Sequence, residues 1–534
     1  MKTIRNPVLR GFNPDPSILR VGDDYYIATS TFEWFPGVQI HHSRDLRHWR
    51  LVARPLERRS QLDMLGNPDS GGIWAPCLSY ADGLFYLVFT DVKSHIGPFK
   101  DTHNYLVTAP SIEGPWSDPV YLNSSGFDPS LFHDDDGRKW LVNMIWDHRK
   151  GKNKFAGIAL QEYSPEERRL VGPIRNIFRG TELGLTEGPH IYKRNGWYYL
   201  ITAEGGTRYN HAVTVARSRS LFGPYEVHPD NPVLTAADKP DLELQRAGHA
   251  SLVETQTGEW YFAYLCGRPL RSSRRCILGR ETALHPVEWT EDGWPRLAGG
   301  GNGPKTIVPA PDLPDHPFPP EPETDHFDGD RISIHFQTLR EPLDESWASL
   351  TARPGYLRLK GRESLSSHHR QSLVARRQQA FVAEAETAVE FEPDTFQQLA
   401  GLIHYYNSRN FYYLHISRDE ELGKCLNIMC SDRGLYDEPL ERPVSIEGWH
   451  RVHLKASLDH DRLQFFYSRD GREWTPIGPV LDASVISDEN AEALLEGRLI
   501  DQGFTGAFLG ICVQDLSGQG KCADFDYFTY RELG

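Results

Sequence analysis

Residues 13–19 read Asn-Pro-Asp-Pro-Ser-Ile-Leu, and variants of this phrase return four times. They are Trp74-Ala-Pro-Cys-Leu78, Phe127-Asp-Pro-Ser-Leu131, Glu187-Gly-Pro-His-Ile191 and Gly248-His-Ala-Ser-Leu252. Aligned on Pro16, Pro76, Pro129, Pro189 and Ala250, successive copies stand 60, 53, 60 and 61 residues apart. Each is followed by a turn and an aromatic run, as in Asp24-Tyr-Tyr-Ile-Ala28, Lys139-Trp-Leu-Val-Asn143 and Trp260-Tyr-Phe-Ala-Tyr264. Short runs rich in Tyr, Trp, Val and Ile, split by Gly or Asp, predict antiparallel strands. A period near 60 residues holding several strands predicts one propeller blade per repeat, so residues 1–308 should form a five-bladed β-propeller. The closing phrases Ser43-Arg-Asp-Leu-Arg-His-Trp49, Ile112-Glu-Gly-Pro-Trp116 and Leu221-Phe-Gly-Pro-Tyr225 argue against the alternative, an irregular sandwich with accidental proline turns.

Beyond Trp294 the composition changes. Residues 298–304 are glycine-rich, and the prolines of 309–324 predict a stiff, extended linker. Residues 325–534 return to spaced strand patterns, such as Ala385-Glu-Thr-Ala-Val-Glu-Phe391, Leu399-Ala-Gly-Leu-Ile-His-Tyr-Tyr406 and Phe525-Asp-Tyr-Phe-Thr-Tyr530. They predict an antiparallel β-sandwich, which makes the fold class all-β.

At 534 residues the chain is too long for one core. Its formal net charge of −15 argues against nucleic acid or an anionic membrane as partner, but says nothing against a neutral substrate. No apolar run is long enough for a membrane-spanning helix. The start, MKTIRNPVLRGFNPDPS, lacks the apolar core of a secretory signal, and seven scattered Cys include no CxxC pair. Reduced thiols in a cytoplasmic protein are the expectation.

In a propeller the first strand of every blade lines the central channel, so one repeat position converges on the axis from five distant places. The position before the proline holds Asp15, Ala75, Asp128, Gly188 and His249, and the one before that holds Trp74, Phe127 and Glu187 in blades two to four. Asp15, Asp128 and Glu187 should therefore share one mouth of the channel with Trp74, Phe127 and His249. A residue before proline is expected to be extended, which would help fix these side chains. Singly, each carboxylate reads as a turn cap. Three together in an aromatic pocket would raise a pKa among them and provide an acid and a base near neutral pH, as glycoside hydrolysis demands.

The phrases NPDPSI (13–18), GFDPSLFHDDDG (126–137), TEGPHIY (186–192) and LGRETA (278–283), with the Trp74 segment, resemble glycoside hydrolase family 43. The likeness covers essentially the whole chain. It is nearest to the β-xylosidase branch, whose C-terminal concanavalin-like β-sandwich residues 503–508 and 523–528 resemble. The resemblance implies inversion at the anomeric carbon and exo release of xylose from the non-reducing end of short β-1,4-xylooligosaccharides. α-L-Arabinofuranosidase is implied as a side activity or, alternatively, as the main one. The contrary reading is a non-catalytic carbohydrate-binding protein, which would have no use for a raised-pKa acid.

By the same resemblance Asp15 is the general base, Glu187 the general acid, and Asp128 the group that raises and orients Glu187. Inversion asks for a base and an acid roughly 6.5–9.5 Å apart, with room for water. Arg280 is implied as a sugar-hydroxyl ligand and countercharge, the competing reading being a surface arginine beside Arg271, Arg274 and Arg275. His249 is implied as an axial ligand-binding histidine, against a core histidine. Phe32, Trp74, Phe127 and Trp146 are implied as apolar platforms for sugar faces, against ordinary core packing. Phe504 is implied as the residue by which the sandwich closes the pocket. The chain departs from the family pattern at Arg271–Ile277, where many relatives carry a longer loop with a pocket histidine. No cofactor is expected for the chemistry. Asp328 and Asp526 are candidate oxygen ligands of a structural Ca²⁺, capping of turns and strand ends being the reading we favour. Relatives imply a homo-oligomer, tetramer or dimer.

Overall fold

The computed structural model describes residues 2–495 and 498–534. Five antiparallel sheets, each built on four strands in chain order, span Ser17–Ala53, Gly72–Asn123, Ser130–Phe178, Glu187–Val227 and Gln245–Leu297. A fifth short strand, Leu234–Thr235, joins the fourth sheet. The first strands (Ser17–Val21, Gly72–Ala81, Ser130–His133, Glu187–Arg194 and Gln245–Glu254) each touch the next, and the last returns to the first. This closed ring makes the sheets five blades of one propeller. The aromatic runs form the second strands, where Tyr25, Ile27, Phe85, Leu87, Leu141, Leu200 and Phe262 are buried between blades.

The serine of the repeated phrase rivets neighbouring blades. Ser17 Oγ accepts from the Leu78 amide at 3.0 Å, Ser130 Oγ donates to the Pro189 carbonyl at 2.6 Å, and Ser251 Oγ donates to the Pro16 carbonyl at 2.7 Å. The chain start closes the ring. Thr3–Arg5 pairs with Ile307–Pro309, and the amides of Val8 and Leu9 donate to the Thr282 carbonyl of blade five.

The second region is a two-sheet sandwich. One sheet includes Val382–Glu390, Arg451–Asp459 and Cys522–Glu532, and the other Ser372–Arg377, Gln398–Asn407 and Phe508–Asp515. Arg451–Asp459 alternates buried and partly exposed positions, as a half-buried strand should, and Val382–Glu390 does so as far as Thr387. Gln398–Asn407 does not alternate, because all ten of its residues are buried. One of its faces packs into the sandwich core through Leu402 and Tyr406, and the other meets propeller side chains through Ile403 and Tyr405. The domains also share backbone. Trp34–Phe35 of blade one pairs with Thr338–Leu339 and extends the second sheet, while the Trp34 ring stacks on Phe508 with centroids 3.7 Å apart. Among the described residues the only helices are a 3-10 turn at Ala483–Val485 and one turn at Asp488–Ala491, capped by Ser487.

Candidate active site

The position before the proline is not extended, contrary to expectation. Asp15, Ala75, Asp128, Gly188 and His249 have φ of 56°, 35°, 56°, 59° and 47°. The cause is a bulge at the head of the inner strand. Pairing slips between Trp74 and Cys77, between Glu187 and His190, and between Gly248 and Ala250, while Asp15 and Asp128 lie just ahead of the first paired residue. Proline excludes the right-handed helical region for its predecessor. The bulge then selects a left-handed φ and re-aims that side chain. Left-handed backbone is strained for residues other than glycine. At Gly188 it coincides with a close approach, since a Cβ there would lie 2.9 Å from His249 Nε2.

Three of these left-handed residues, Asp15, Asp128 and His249, line one pocket of about 530 Å³. Every residue expected in the site reaches it: Asp15, Asp128, Glu187, His249, Arg280, Phe32, Trp74, Phe127, Trp146 and Phe504. Ser30 Oγ donates to Asp15 Oδ2 at 2.6 Å and itself accepts the Ala75 amide at 2.7 Å. Arg280 Nη1 lies 3.3 Å and His249 Nδ1 3.5 Å from Asp15 Oδ1. Arg280 is only 3% exposed, which removes the surface-arginine alternative. It also donates to Thr207 Oγ1 and to the Phe504 carbonyl, both at 3.0 Å, and its Nε has no partner.

The carboxylates differ in their surroundings. Burial, and then the charge of Asp15, push Glu187 up to about 8, with Arg280 and Lys100 pulling the other way. Asp128 is raised as well, by burial and then by Glu187 and Asp15, although the Gly188 amide donates to its Oδ2 at 3.0 Å. Burial lowers the His249 pKa, Asp15 opposing and Arg280 adding to the effect.

Rings wall the rest of the pocket. Trp74 meets Phe127 edge-on at 5.3 Å and Phe504 at 5.7 Å, and Phe32 lies 6.0 Å from Phe504. The Arg280 guanidinium sits between the Phe32 and Phe504 faces, 5.4 and 5.3 Å from their centroids. Phe504 thus brings the sandwich into the site. Its amide donates to Ser70 Oγ at 3.2 Å, while the Trp74 indole donates to the Ser70 carbonyl at 2.9 Å.

Several pocket residues carried no sequence signal, because they lie outside the repeated phrase. Lys100 donates to the His95 carbonyl at 2.6 Å, stands 4.5 Å over the Trp146 ring, and is lowered to about 8 by burial. His95 is lowered to about 4, also by burial, and its Nε2 lies 3.0 Å from the Asp69 carbonyl. Arg208 lines the pocket and pairs with Glu492 of the sandwich. The short Arg271–Ile277 segment docks instead on the sandwich, through Arg275 to Ser484 and the Cys276 amide to Glu489. Of the two candidate Ca²⁺ ligands, Asp526 pairs with Arg451 at 2.8 Å, and no cluster of three or more His, Cys, Asp or Glu disposed to hold a metal occurs among the described residues.

Comparison with known proteins agrees with this geometry. The sequence model of glycosyl hydrolases family 43 matches residues 4–295, and that of the beta-xylosidase C-terminal concanavalin A-like domain matches residues 324–531. The chain is 53% identical to the xylosidase/arabinosidase 43B of Humicola insolens, over 100% of this chain and 98% of that protein. It is 52% identical to a beta-xylosidase of Bacillus subtilis (strain 168), over 99% of each. The crystal structure of xylan beta-1,4-xylosidase from Bacillus halodurans C-125 superposes with a TM-score of 0.97 at 60% identity, over 99% of this chain and 100% of that one. Fold, pocket and likeness along the full length converge, and the chain belongs to family 43 of the glycosyl hydrolases.

Proposed function

We propose that the chain is an exo-acting, inverting β-1,4-xylosidase that releases xylose from the non-reducing end of short xylooligosaccharides. The observation that carries this reading is the contrast between two carboxyl groups in one pocket. Asp15 lies beside the Arg280 guanidinium and the His249 ring, whereas burial and the charge of Asp15 hold Glu187 up to about 8. Asp15 takes a proton from a water as that water attacks the anomeric carbon. Glu187 gives its proton to the glycosidic oxygen as the bond to the leaving sugar breaks. The unpartnered Nε of Arg280 supports a role as donor to a sugar hydroxyl. Trp74, Phe127, Phe32 and Trp146 supply apolar faces, and the sandwich wall at Phe504 and Gln502 limits the pocket to a chain end. The names of the B. subtilis and B. halodurans relatives support xylose as the released sugar.

Asp15→Gly and Glu187→Ala are expected to lower turnover of xylobiose by about 10³-fold or more, and near-normal rates in either would sink the mechanism. Proton NMR should show the α-anomer of xylose forming first. α-L-Arabinofuranosidase activity is the second reading, favoured by the name of the H. insolens relative. Faster hydrolysis of nitrophenyl arabinofuranoside than of nitrophenyl xyloside would make it the main activity. No described helix is long and apolar enough to cross a membrane, and all seven cysteines are unpaired, which supports work in a reducing cytoplasm. A homo-oligomer, dimer or tetramer, is expected in solution and would be read by light scattering.

A further inference from the structure

A second cavity, of about 490 Å³, lies where blade one, the proline strap and the sandwich meet. Gln39, His41 and Arg54 reach it from the propeller, Glu321 from the strap, and Arg376 and Arg377 from the sandwich. The protein carries a net charge of −15, yet none of these three arginines forms an ion pair among the described residues. Three carboxylates line the same cavity, each paired with another basic side chain. Glu321 pairs with His335, Glu323 with Arg531 at 2.9 Å, and Glu532 with Arg10 at 2.7 Å.

The donors are also incompletely used. Arg377 is 5% exposed, Gln39 2% and His41 9%, and Arg377 Nη2, His41 Nδ1, Arg54 Nε and Arg376 Nε are all buried without partners. Arg54 gives Nη2 to Gln39 Oε1 at 2.7 Å and Nη1 to the Phe336 carbonyl at 3.3 Å. Arg377 gives Nε to the Phe12 carbonyl at 2.5 Å and Nη1 to Gln337. Aromatic faces offset part of the charge, with Phe12 5.1 Å and Phe508 5.3 Å from Arg377 and Tyr530 4.5 Å from Arg376. They accept no N–H in the plane of the guanidinium, so the unused donors still lack an acceptor. Glu321 and Glu532 act on Arg376 from within the cavity, but Arg377 is buried with no counter-ion among the described residues, which is costly, and guanidinium forks match the oxygens of phosphate and carboxylate.

We propose that this cavity is an oxyanion-binding site, taking a small phosphate- or carboxylate-bearing molecule between Arg54 of the propeller and Arg376 and Arg377 of the sandwich. The ligand bridges the domains, so its binding stabilises their docked arrangement by mass action. It also reaches toward the active site. Gln39, which holds Arg54, donates its Nε2 to Asn13 Oδ1 at 2.8 Å, two residues before Asp15.

The test uses the full chain in chloride, with inorganic phosphate or glucuronate added at matched ionic strength. The expected result is a saturable rise in Tm of about 2 °C or more, with calorimetry showing one site per chain. A rise with phosphate alone, or with glucuronate alone, supports the site and identifies which oxyanion it prefers. Arg54→Met and Arg376→Met should each weaken binding by about tenfold or more, with xyloside hydrolysis kept within about twofold of wild type. If the variants do not fold, crystals of the wild-type protein soaked in tungstate should show an anomalous peak between Arg54 and Arg377. Equal Tm in chloride, phosphate and glucuronate would overturn the proposal. So would wild-type affinity in both variants, or a cavity without the peak.

Discussion

Arg340→Met should damage the active site from outside it. Arg340 belongs to the sandwich and is 1% exposed. Its Nη2 donates to Asp69 Oδ1 at 2.8 Å, its Nε to the Asn67 carbonyl at 2.7 Å, and its Nη1 to Gln371 Oε1 at 3.2 Å. Burial alone would raise Asp69, but the His368 hydrogen bond and the Arg340 charge hold it well below the usual carboxylate range. Glu33 shares the site and is pushed up to about 8 by burial and then by Asp69, against Arg340. Methionine fills much the same space but leaves two buried carboxyl groups with their main cation gone. Removing one partner of such a pair costs about 3–5 kcal/mol. The loss should appear in urea unfolding at pH 7 and shrink as the pH is lowered. Without Arg340 the folded-state pKa of Asp69 rises, and protonation at lower pH then relieves the unpaired charge. The double variant Arg340→Met, Asp69→Asn should recover much of the loss. Catalysis should suffer too. Ser70, next in the chain, holds the Trp74 indole and the Phe504 amide, and the Asp69 carbonyl meets His95, so KM for xylobiose should rise. A loss below about 1 kcal/mol, the value of an exposed pair, together with an unchanged KM would refute the reasoning.

Glu187 must be protonated to act as the acid, so kcat/KM should fall as the pH rises through about 8. Lys100 helps hold Glu187 down, so Lys100→Met should move that limb to higher pH, and a shift to lower pH would contradict the assignment. Glu33 has a folded pKa raised above its ordinary 4.5, so stability should fall as the pH rises from about 4.5 to 8. Glu33→Gln should flatten that slope in unfolding midpoints measured across the range. Gly188→Ala adds a Cβ 2.9 Å from the His249 ring at a φ of +59°. It should cost about 1–3 kcal/mol of stability and lower kcat, because the shift falls between Asp128 and His249; wild-type kinetics would show that the bulge tolerates a side chain.

The propeller and the carboxylate trio were legible because a repeat converts sequence distance into spatial coincidence. Asp15, Asp128, His249 and the Glu187–Gly188 pair can be aligned without any structure, and an aligned position in a ring of blades points to one axis. What the alignment could not carry was the backbone at that position. The proline suggested extension, while the slipped pairing of the inner strands required a left-handed φ, and pairing is a property of the sheet and not of the dipeptide. His95, Lys100 and Arg208 were missed for a related reason, since loops outside the repeat have no counterpart in other blades to mark them. The segment 398–407 shows the same limit in the second domain. Its apolar run reads as a strand in a sandwich, but its burial on both faces depends on a partner some 370 residues earlier in the chain, at Trp34.

That partner explains why the division into two domains understates how the site is built. The blades deliver every ionisable group of the proposed chemistry, with Asp15, Asp128 and His249 at left-handed residues on the inner strands or just ahead of them. They do not close the pocket. Closure comes from Phe504, whose carbonyl accepts from Arg280 and whose ring tilts against Phe32 and meets Trp74 edge-on. Phe504 can reach that position only because the sheet carrying Phe508 is anchored to blade one by Trp34–Phe35 through Gln337–Leu339 and by the stacked rings of Trp34 and Phe508. The strand pairing and the Arg340–Asp69 ion pair both lie on this seam. A change at either of them acts on the position of Phe504 before it acts on a carboxylate. Seam variants should therefore alter KM and stability while leaving the pH dependence set by Glu187 in place, whereas variants of Asp15, whose charge raises Glu187, should shift that pH dependence.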